Sequence, residues 1–295
     1  MKNFKNKDHK EKTGERNGKL TLVATPIGNM EDMTYRAVRV LSECDYIVCE
    51  DTRTTNNLLN FYNIKDIDPS KSKDDVQKNK TLLIFHANSS EREINKIMEL
   101  LKSGSHICYV SDAGTPTISD PGVLLVNKIR EENKKFTNID LEENLDSNFH
   151  NKKQKISSGV LEIESLPGAC AVTVAYSLSG ATGNSFTFYG FMPHKKGRET
   201  MTRNIIESDM TSVVYESVHR IEKLLESFKE LEIKVAEENG LELLEIKREY
   251  VICRELTKMY EESVVGDIDY IINYFKQSKI DGQDKVRGEF VMIIK

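Results

Sequence analysis

The chain has 295 residues, of which 38% are hydrophobic and 30% are charged, a balance typical of one large or two medium folded domains. Its 42 basic and 47 acidic residues give a net charge of −5, which argues against bulk non-specific binding of nucleic acid but not against a local basic patch. The sequence has no apolar run long enough to cross a membrane and no apolar core of a secretory signal, so we expect a cytoplasmic protein without a membrane partner.

The elements predicted along the first part of the chain alternate between strands and helices. Residues 1–19 are polar and basic and predict a disordered tail. Strands follow at five short apolar runs, with helical patterns between them: 20–24, 46–49, 82–85, 106–110 and 160–166. This alternation predicts an α/β domain over 20–180 with a largely parallel sheet. Polar stretches at 66–80 and 131–158 predict surface insertions in that domain.

The second part of the chain begins after a glycine- and serine-rich segment. Ser179 to Ser185 predicts the domain boundary, and residues 181–295 predict a second α/β domain. Its predicted strands and helices are Phe186 to Phe191, Lys196 to Glu207, Val213 to Tyr215, Arg220 to Leu231, Tyr250 to Cys253 and Phe290 to Ile294. The five cysteines lack the spacing of a zinc or redox site and predict buried thiols in a reducing compartment.

Three loops that combine proline with glycine or small residues follow predicted strands. We call them the first loop (Thr25 to Asn29), the second loop (Ser111 to Gly122) and the third loop (Pro167 to Ala169). The carboxyl ends of parallel strands meet at one sheet edge, where ligands bind. The chain has neither a dinucleotide-binding glycine motif nor a P-loop, which favours a less anionic, nucleoside-like ligand. The Asp112 carboxylate can accept hydrogen bonds from an amine or from hydroxyl groups of such a ligand. The alternative is that Asp112 caps the following segment.

Two further clusters carry chemistry. Glu50 to Arg53, after the second strand, can position a substrate and supply a general base; the alternative is an ion pair with a helix N-cap. A basic cluster in the second domain predicts contact with RNA phosphates, the alternative being a solvated loop. Its cationic residues are Lys195, Lys196, Arg198 and Arg203. His219 stands alone, and no metal-ligand spacing is present, so no metal site is expected.

Six motifs together resemble the ribosomal RNA small subunit methyltransferase I family. They occur in the family's order and span most of the chain from Leu20 onward. They are Thr25 to Asn29, Glu50 to Arg53, Ser111 to Gly122, Leu166 to Gly168, Tyr215 to Arg220 and Arg254 to Lys258. The string from Ser111 to Gly122 is the most specific of them. This chain has Ala169 where the family usually has proline. The alanine is expected to loosen the third loop while keeping the residue small.

The resemblance implies the two-domain α/β fold of tetrapyrrole methylases, with a largely parallel N-terminal sheet and a mixed C-terminal sheet with helices. It implies S-adenosylmethionine as cofactor and methylation of a cytidine ribose 2′-oxygen in 16S ribosomal RNA. The implied partners are this RNA or the small ribosomal subunit, and a second copy of the chain in a homodimer. The cofactor contacts carried over are Pro26, Gly28, Asp112, Gly114, Thr115, Ala169 and Cys170.

The transfer also needs a group that takes the proton of the ribose hydroxyl. The candidate catalytic set is Glu50, Asp51, Arg53 and Glu216, and the sequence does not choose the base among them. Two alternative functions stay open: a methyltransferase for a small tetrapyrrole-type molecule, and a non-catalytic RNA-binding assembly protein on the same fold. The basic cluster favours RNA over a tetrapyrrole, and the intact cofactor motifs favour an enzyme.

Overall fold

The computed structural model describes residues 17–64, 80–143 and 159–295. The predicted tail through residue 16 and the parts of the predicted insertions at 66–79 and 144–158 lie outside the described residues. The chain divides into two compact units: the first holds residues up to 23, 35–112 and 120–166, and the second holds 24–34, 113–119 and 167–295.

The first unit is built on a five-stranded parallel sheet. Its elements are β1 (Lys19–Val23), α1 (Tyr35–Glu43), β2 (Tyr46–Cys49), α2 (Thr52–Phe61), β3 (Leu82–Ile84), α3 (Glu91–Lys102), β4 (His106–Val110), α4 (Gly122–Glu143) and β5 (Glu162–Leu166). The strand order is β3-β2-β4-β1-β5, and every neighbouring pair is parallel. The central strands are short apolar runs because helices cover the sheet and bury them, as in α/β proteins generally.

The second unit is built on a mixed five-stranded sheet. Its elements are α5 (Ala171–Leu178), β6 (Phe186–Phe191), α6 (Arg198–Ile206), β7 (Thr211–Ser217), α7 (Ile221–Asn239), α8 (Leu243–Ile246), β8 (Tyr250–Arg254), β9 (Glu262–Gly266), α9 (Ile268–Ile280) and β10 (Glu289–Ile294). The order is β6-β7-β10-β8-β9; β6 and β7 are parallel and the other pairs are antiparallel. The predicted fold class, a parallel and a mixed α/β sheet, is therefore confirmed.

The helix α4 extends farther than the sequence predicts. The segment from Glu131 on is polar and predicts an insertion, yet the helix continues to Glu143. Two contacts hold this polar part to the first unit. Glu132 forms an ion pair of 2.6 Å with Lys102, and the Asn133 amide exchanges two hydrogen bonds with the backbone of Leu161. Glutamate and lysine favour helices intrinsically, so no apolar stripe is needed there.

The two compact units exchange segments at several points of the chain, whereas the sequence predicts one boundary between residues 180 and 181. Helix α5 and the third loop cluster with the second unit, together with parts of the first and second loops. Helix α5 packs there because Val172 and Ala175 are buried in a core with β7, β8 and β10. Among the described residues, no helix is both long and apolar enough to cross a membrane. Cys49, Cys108 and Cys253 are buried free thiols, as predicted.

Candidate functional site

The three loops are joined to one another within the second unit. Thr25 and Gly114 form an antiparallel backbone bridge with N···O distances of 2.9 and 3.1 Å. The Thr115 hydroxyl donates to the carbonyl of Ala169 at 2.9 Å, which connects the second loop to the third. The prediction that the loops converge is therefore confirmed for these segments.

Glycine is required where the loops approach each other. Gly114 has a φ of +82°, and a Cβ there would lie 3.2 Å from the Cγ2 of Ile27. A Cβ on Gly168 would lie 2.6 Å from the Cβ of Ala24, well inside ordinary contact distance. The loops thus present backbone groups at close range, which is what a small ligand with many polar atoms needs.

The second loop also stores backbone strain. Thr117 and Ser119 have φ angles of 72° and 69°, in the left-handed region that residues with a Cβ rarely adopt. Such residues persist only where the surroundings fix them, and they concentrate at functional sites. Cys170, the last of the predicted cofactor contacts, is the N-cap of α5 and is partly exposed.

Glu50 and Asp112 come together at the carboxyl edge of the first unit's sheet. The N–H of Asp51 donates to Asp112 Oδ1 at 3.2 Å, and the backbone of Asp112 lies close enough to the Glu50 carboxylate to lower its pKa in part. Burial raises the pKa of Glu50, and the nearby charges of Asp112 and Asp120 raise it further. Partial desolvation raises the pKa of Asp112 as well. Both carboxyl groups therefore hold a proton more readily than exposed ones do.

Asp51 and Arg53 bond to each other at the start of α2. Asp51 Oδ1 accepts the Arg53 backbone N–H at 2.7 Å, so Asp51 is the N-cap. The Arg53 guanidinium also bonds both carboxylate oxygens, the shorter contact being 2.7 Å, and lowers the pKa of Asp51 to about 2. This arrangement matches the alternative considered from the sequence, an ion pair combined with a helix cap.

A fourth acid, to which the sequence assigns no separate role, lies in the same part of the first unit. Asp120 Oδ1 accepts the Tyr109 hydroxyl at 3.0 Å and the Gly122 N–H at 2.8 Å. Asp120 Oδ2 is buried and has no hydrogen-bond partner among the described residues. His86, which follows β3, lies near enough to lower the Glu50 pKa in part. The sequence feature that points to Asp120 is its position in the second loop.

Glu216 belongs to the second unit and is almost fully buried, with 1% of its surface exposed. Its Oε1 accepts the Ser217 N–H at 2.8 Å and pairs with Arg220 Nη2 at 2.6 Å. Arg220 also donates to the carbonyl of Met192 at 3.0 Å, while Glu216 Oε2 has no hydrogen-bond partner among the described residues. The carboxylate is thus held in a fixed orientation by the Arg220 guanidinium.

The four residues of the predicted basic cluster differ in exposure and in ion pairing. Lys195 and Lys196 are exposed and make no ion pair with a described residue. The Arg198 Nε and Nη2 atoms are buried without a hydrogen-bond partner in the described part of the chain. Arg203 is already paired, with Glu238 at 2.8 Å and Glu207 at 3.4 Å. The two lysines are therefore the cations most available to an external phosphate.

Comparison with known proteins identifies relatives over nearly the whole chain. The family model described as Tetrapyrrole (Corrin/Porphyrin) Methylases matches residues 19–139. A Thermotoga maritima protein named ribosomal RNA small subunit methyltransferase I is 34% identical over 266 residues, which cover 90% of this chain and 96% of the relative. A Bacillus subtilis protein of the same name is 35% identical over 278 residues, which cover 94% of this chain and 75% of the relative.

Solved structures share the fold at low sequence identity. The methyltransferase CobJ matches with a TM-score of 0.55 and 16% identity, covering 94% of this chain and 93% of that one. A uroporphyrin-III-C-methyltransferase from Thermus thermophilus matches with a TM-score of 0.51 and 13% identity, covering 94% of each chain. These likenesses confirm the tetrapyrrole-methylase fold predicted from the sequence motifs.

Proposed function

The chain belongs to the ribosomal RNA small subunit methyltransferase I family, and we propose that it methylates the ribose 2′-oxygen of a cytidine in 16S ribosomal RNA. It is an S-adenosylmethionine-dependent methyltransferase, and its substrate class is ribosomal RNA. The observation that carries the proposal is the identity of 34% across 96% of a relative's length, together with three loops that the structure bonds into one cluster.

The loop cluster fits S-adenosylmethionine. The glycine positions where a Cβ would collide with a neighbouring loop leave backbone amides and carbonyls as the closest groups to a ligand. A carboxylate at Asp112 can accept hydrogen bonds from hydroxyl or amine groups. The residues that would hold the cofactor are Pro26, Gly28, Asp112, Gly114, Thr115, Ala169 and Cys170. When bound, the cofactor supplies a methyl group on a positively charged sulfur.

Among the candidate carboxylates, Glu50 fits the role of general base best. A ribose hydroxyl is a weak acid, so the base that takes its proton acts better when its own pKa is raised. Glu50 has a raised pKa, whereas Asp51 is held by Arg53 and has a pKa of about 2. Glu216 is fixed by its ion pair with Arg220. We assign Glu50 the role of accepting the proton of the ribose hydroxyl. Groups around the substrate are positioned by Asp51, Arg53 and Glu216.

The two free lysines support an RNA substrate. Lys195 and Lys196 lie next to the N-terminus of α6, where cationic side chains and backbone N–H groups both favour phosphate. Arg203 contributes less because two glutamates already neutralise it, and the Nε and Nη2 atoms of Arg198 are buried. We therefore rank Lys195 and Lys196 above Arg198 and Arg203 as phosphate contacts.

The assay that tests the proposed function offers alternative acceptors side by side. The purified protein is mixed with methyl-labelled S-adenosylmethionine and with small ribosomal subunits, free 16S ribosomal RNA or a porphyrinoid. Label is expected in RNA and not in the porphyrinoid. Label in the porphyrinoid alone would replace the proposal by a tetrapyrrole methyltransferase, and RNA binding without cofactor binding would replace it by an assembly protein.

The remaining expectations rest on the family resemblance. We propose that the protein acts in the cytoplasm, where small ribosomal subunits are assembled, and that two copies form a homodimer. Sedimentation equilibrium of the purified protein measures the second of these directly: a mass of about twice the chain's 33.7 kDa is expected, and a monomer at every concentration would contradict it.

A further inference from the structure

Two large apolar side chains lie exposed at the tip of the loop between β8 and β9. We call residues Glu255 to Glu261 the β8–β9 loop. Met259 and Tyr260 have exposed fractions of 89% and 69%, and neither bonds or stacks with a described residue. Single exposed apolar residues are common, whereas these two are adjacent and together expose an aromatic ring and a thioether.

The backbone of this loop is strained in a way that fixes its shape. Glu255 and Thr257 have φ angles of 49° and 65°, although both carry a Cβ. The segment before β10 leaves room for this turn, because it has glycine at position 288, where a Cβ would lie 2.2 Å from Glu255 Oε1. A conformation that costs free energy at two residues is retained only where the surroundings impose it.

Side-chain contacts hold the base of the loop. Leu256 is buried in the core of the second unit, with 6% of its surface exposed. Lys258 Nζ forms ion pairs with Glu255 Oε1 and Glu289 Oε2, each at 2.9 Å. The loop is thus anchored on both sides of Thr257, and only its tip extends into solvent. A rigid tip loses little conformational entropy when it binds a partner.

The β8–β9 loop contacts the first loop directly within the second unit. The Asn29 backbone N–H donates to Thr257 Oγ1 at 3.2 Å. The methylene groups of Lys258 pack against Gly28, where a Cβ would lie 2.4 Å from Lys258 Cγ. Tyr260 follows Thr257 by three residues, a chain reach of at most about 11 Å. The exposed tip is therefore close to residues proposed to hold the cofactor.

We propose that Tyr260, supported by Met259, is a stacking surface for an unpaired base of the RNA substrate. The proposal rests on the proposed function, since it takes RNA as the partner. Proteins recognise single-stranded RNA by stacking its bases on aromatic side chains, and the polarisable thioether of methionine also contacts aromatic rings favourably. Such a surface next to the cofactor-binding loop positions a nucleotide near the reacting one without reading its hydrogen-bonding edge.

The test compares Tyr260→Ala with Tyr260→Phe and with Tyr35→Ala, a control that removes a tyrosine 98% exposed on α1 of the first unit. Loss of one stacked base predicts a roughly 5- to 150-fold rise in the KM for RNA in Tyr260→Ala. The kcat and the Kd for S-adenosylmethionine are expected to stay near those of the wild type. Tyr260→Phe and Tyr35→Ala are expected to keep the wild-type KM, because one retains the ring and the other removes a ring elsewhere.

A binding measurement separates this proposal from the proposed reaction. A single-stranded RNA oligonucleotide carrying 2-aminopurine loses fluorescence when its base stacks on an aromatic ring. The wild type and Tyr260→Phe are expected to quench it, and Tyr260→Ala is not. Quenching without any methyl transfer by the wild type would support the stacking surface and overturn the proposed reaction.

Three results would overturn the stacking proposal. The first is a wild-type KM for Tyr260→Ala in an enzyme that methylates RNA. The second is an equal loss in Tyr260→Phe, which would assign the effect to the hydroxyl. The third is a Tyr260→Ala protein that sediments as a monomer where the wild type is a dimer, which would assign the tip to a contact between two copies of the chain.

Discussion

The substitution Gly168→Ala tests whether the close approach of the loops determines cofactor binding. The new Cβ would lie 2.6 Å from the Cβ of Ala24, whereas carbon atoms in ordinary contact are about 3.5–4.0 Å apart. The third loop must therefore move by about 1 Å relative to Ala24. Overpacking of this kind costs about 1–3 kcal/mol. If that cost falls on the cofactor-binding arrangement, the Kd for S-adenosylmethionine rises about 5- to 150-fold.

A second substitution makes this prediction specific. Ala24→Gly removes the atom that the new Cβ would strike, so the double variant is expected to bind S-adenosylmethionine more tightly than Gly168→Ala alone. Ala24→Gly by itself costs roughly 0.5–1 kcal/mol of stability through backbone entropy, and a double-mutant cycle corrects for it. Titration calorimetry measures all four proteins. Wild-type affinity in Gly168→Ala, or no recovery in the double variant, would refute the steric reasoning.

Three further predictions concern other parts of the molecule. Glu50→Gln is expected to lose methyl transfer but keep cofactor binding, and wild-type turnover would contradict this role. The fold raises the pKa of Glu50 and so favours its protonated form, a contribution to stability that is lost as pH rises through the folded pKa. Above that pH, the variant is therefore expected to melt at a higher temperature than the wild type. Thr117→Gly is expected to raise the free energy of unfolding by about 1 kcal/mol by relieving its left-handed backbone, yet to weaken cofactor binding; a lower unfolding free energy in urea would contradict it. Replacing Lys195 and Lys196 by Ala should lower the slope of log RNA affinity against log salt by about 0.7 per lost phosphate contact, and an unchanged slope would remove them from the interface.

The parallel sheet and the loops after its strands could be predicted because their signals are local. Each strand is an apolar run, and each loop carries its proline and glycine in the next few residues. Helix α9 had a comparable signal that the prediction passed over. Ile268, Ile271, Ile272 and Phe275 are buried with helical spacing behind the N-cap Asp267. Strand β9 carries a weaker sequence signal, because Val264 is its only buried residue.

Which candidate residues are already paired could not be predicted, because pairing depends on distant parts of the chain. Arg203 bonds to Glu238, which lies 35 positions away, and the pair forms only when α6 packs on α7. The raised pKa of Glu50 likewise depends on burial by the folded chain and on Asp112 and Asp120, which lie in the loop after β4. Asp51 and Arg53 are close in sequence, and their pairing was one of two alternatives that the motif left open.

The central claim is that this protein places one methyl group on a ribose 2′-oxygen of 16S ribosomal RNA. Mass-spectrometric mapping of 2′-O-methyl sites tests it most directly, in RNA from cells with and without the protein and after restoration of the Glu50→Gln variant. We predict a single cytidine whose 2′-O-methyl group is present only with the wild-type protein. An unchanged map, or a protein-dependent methyl group on a base instead of a ribose, would contradict the account.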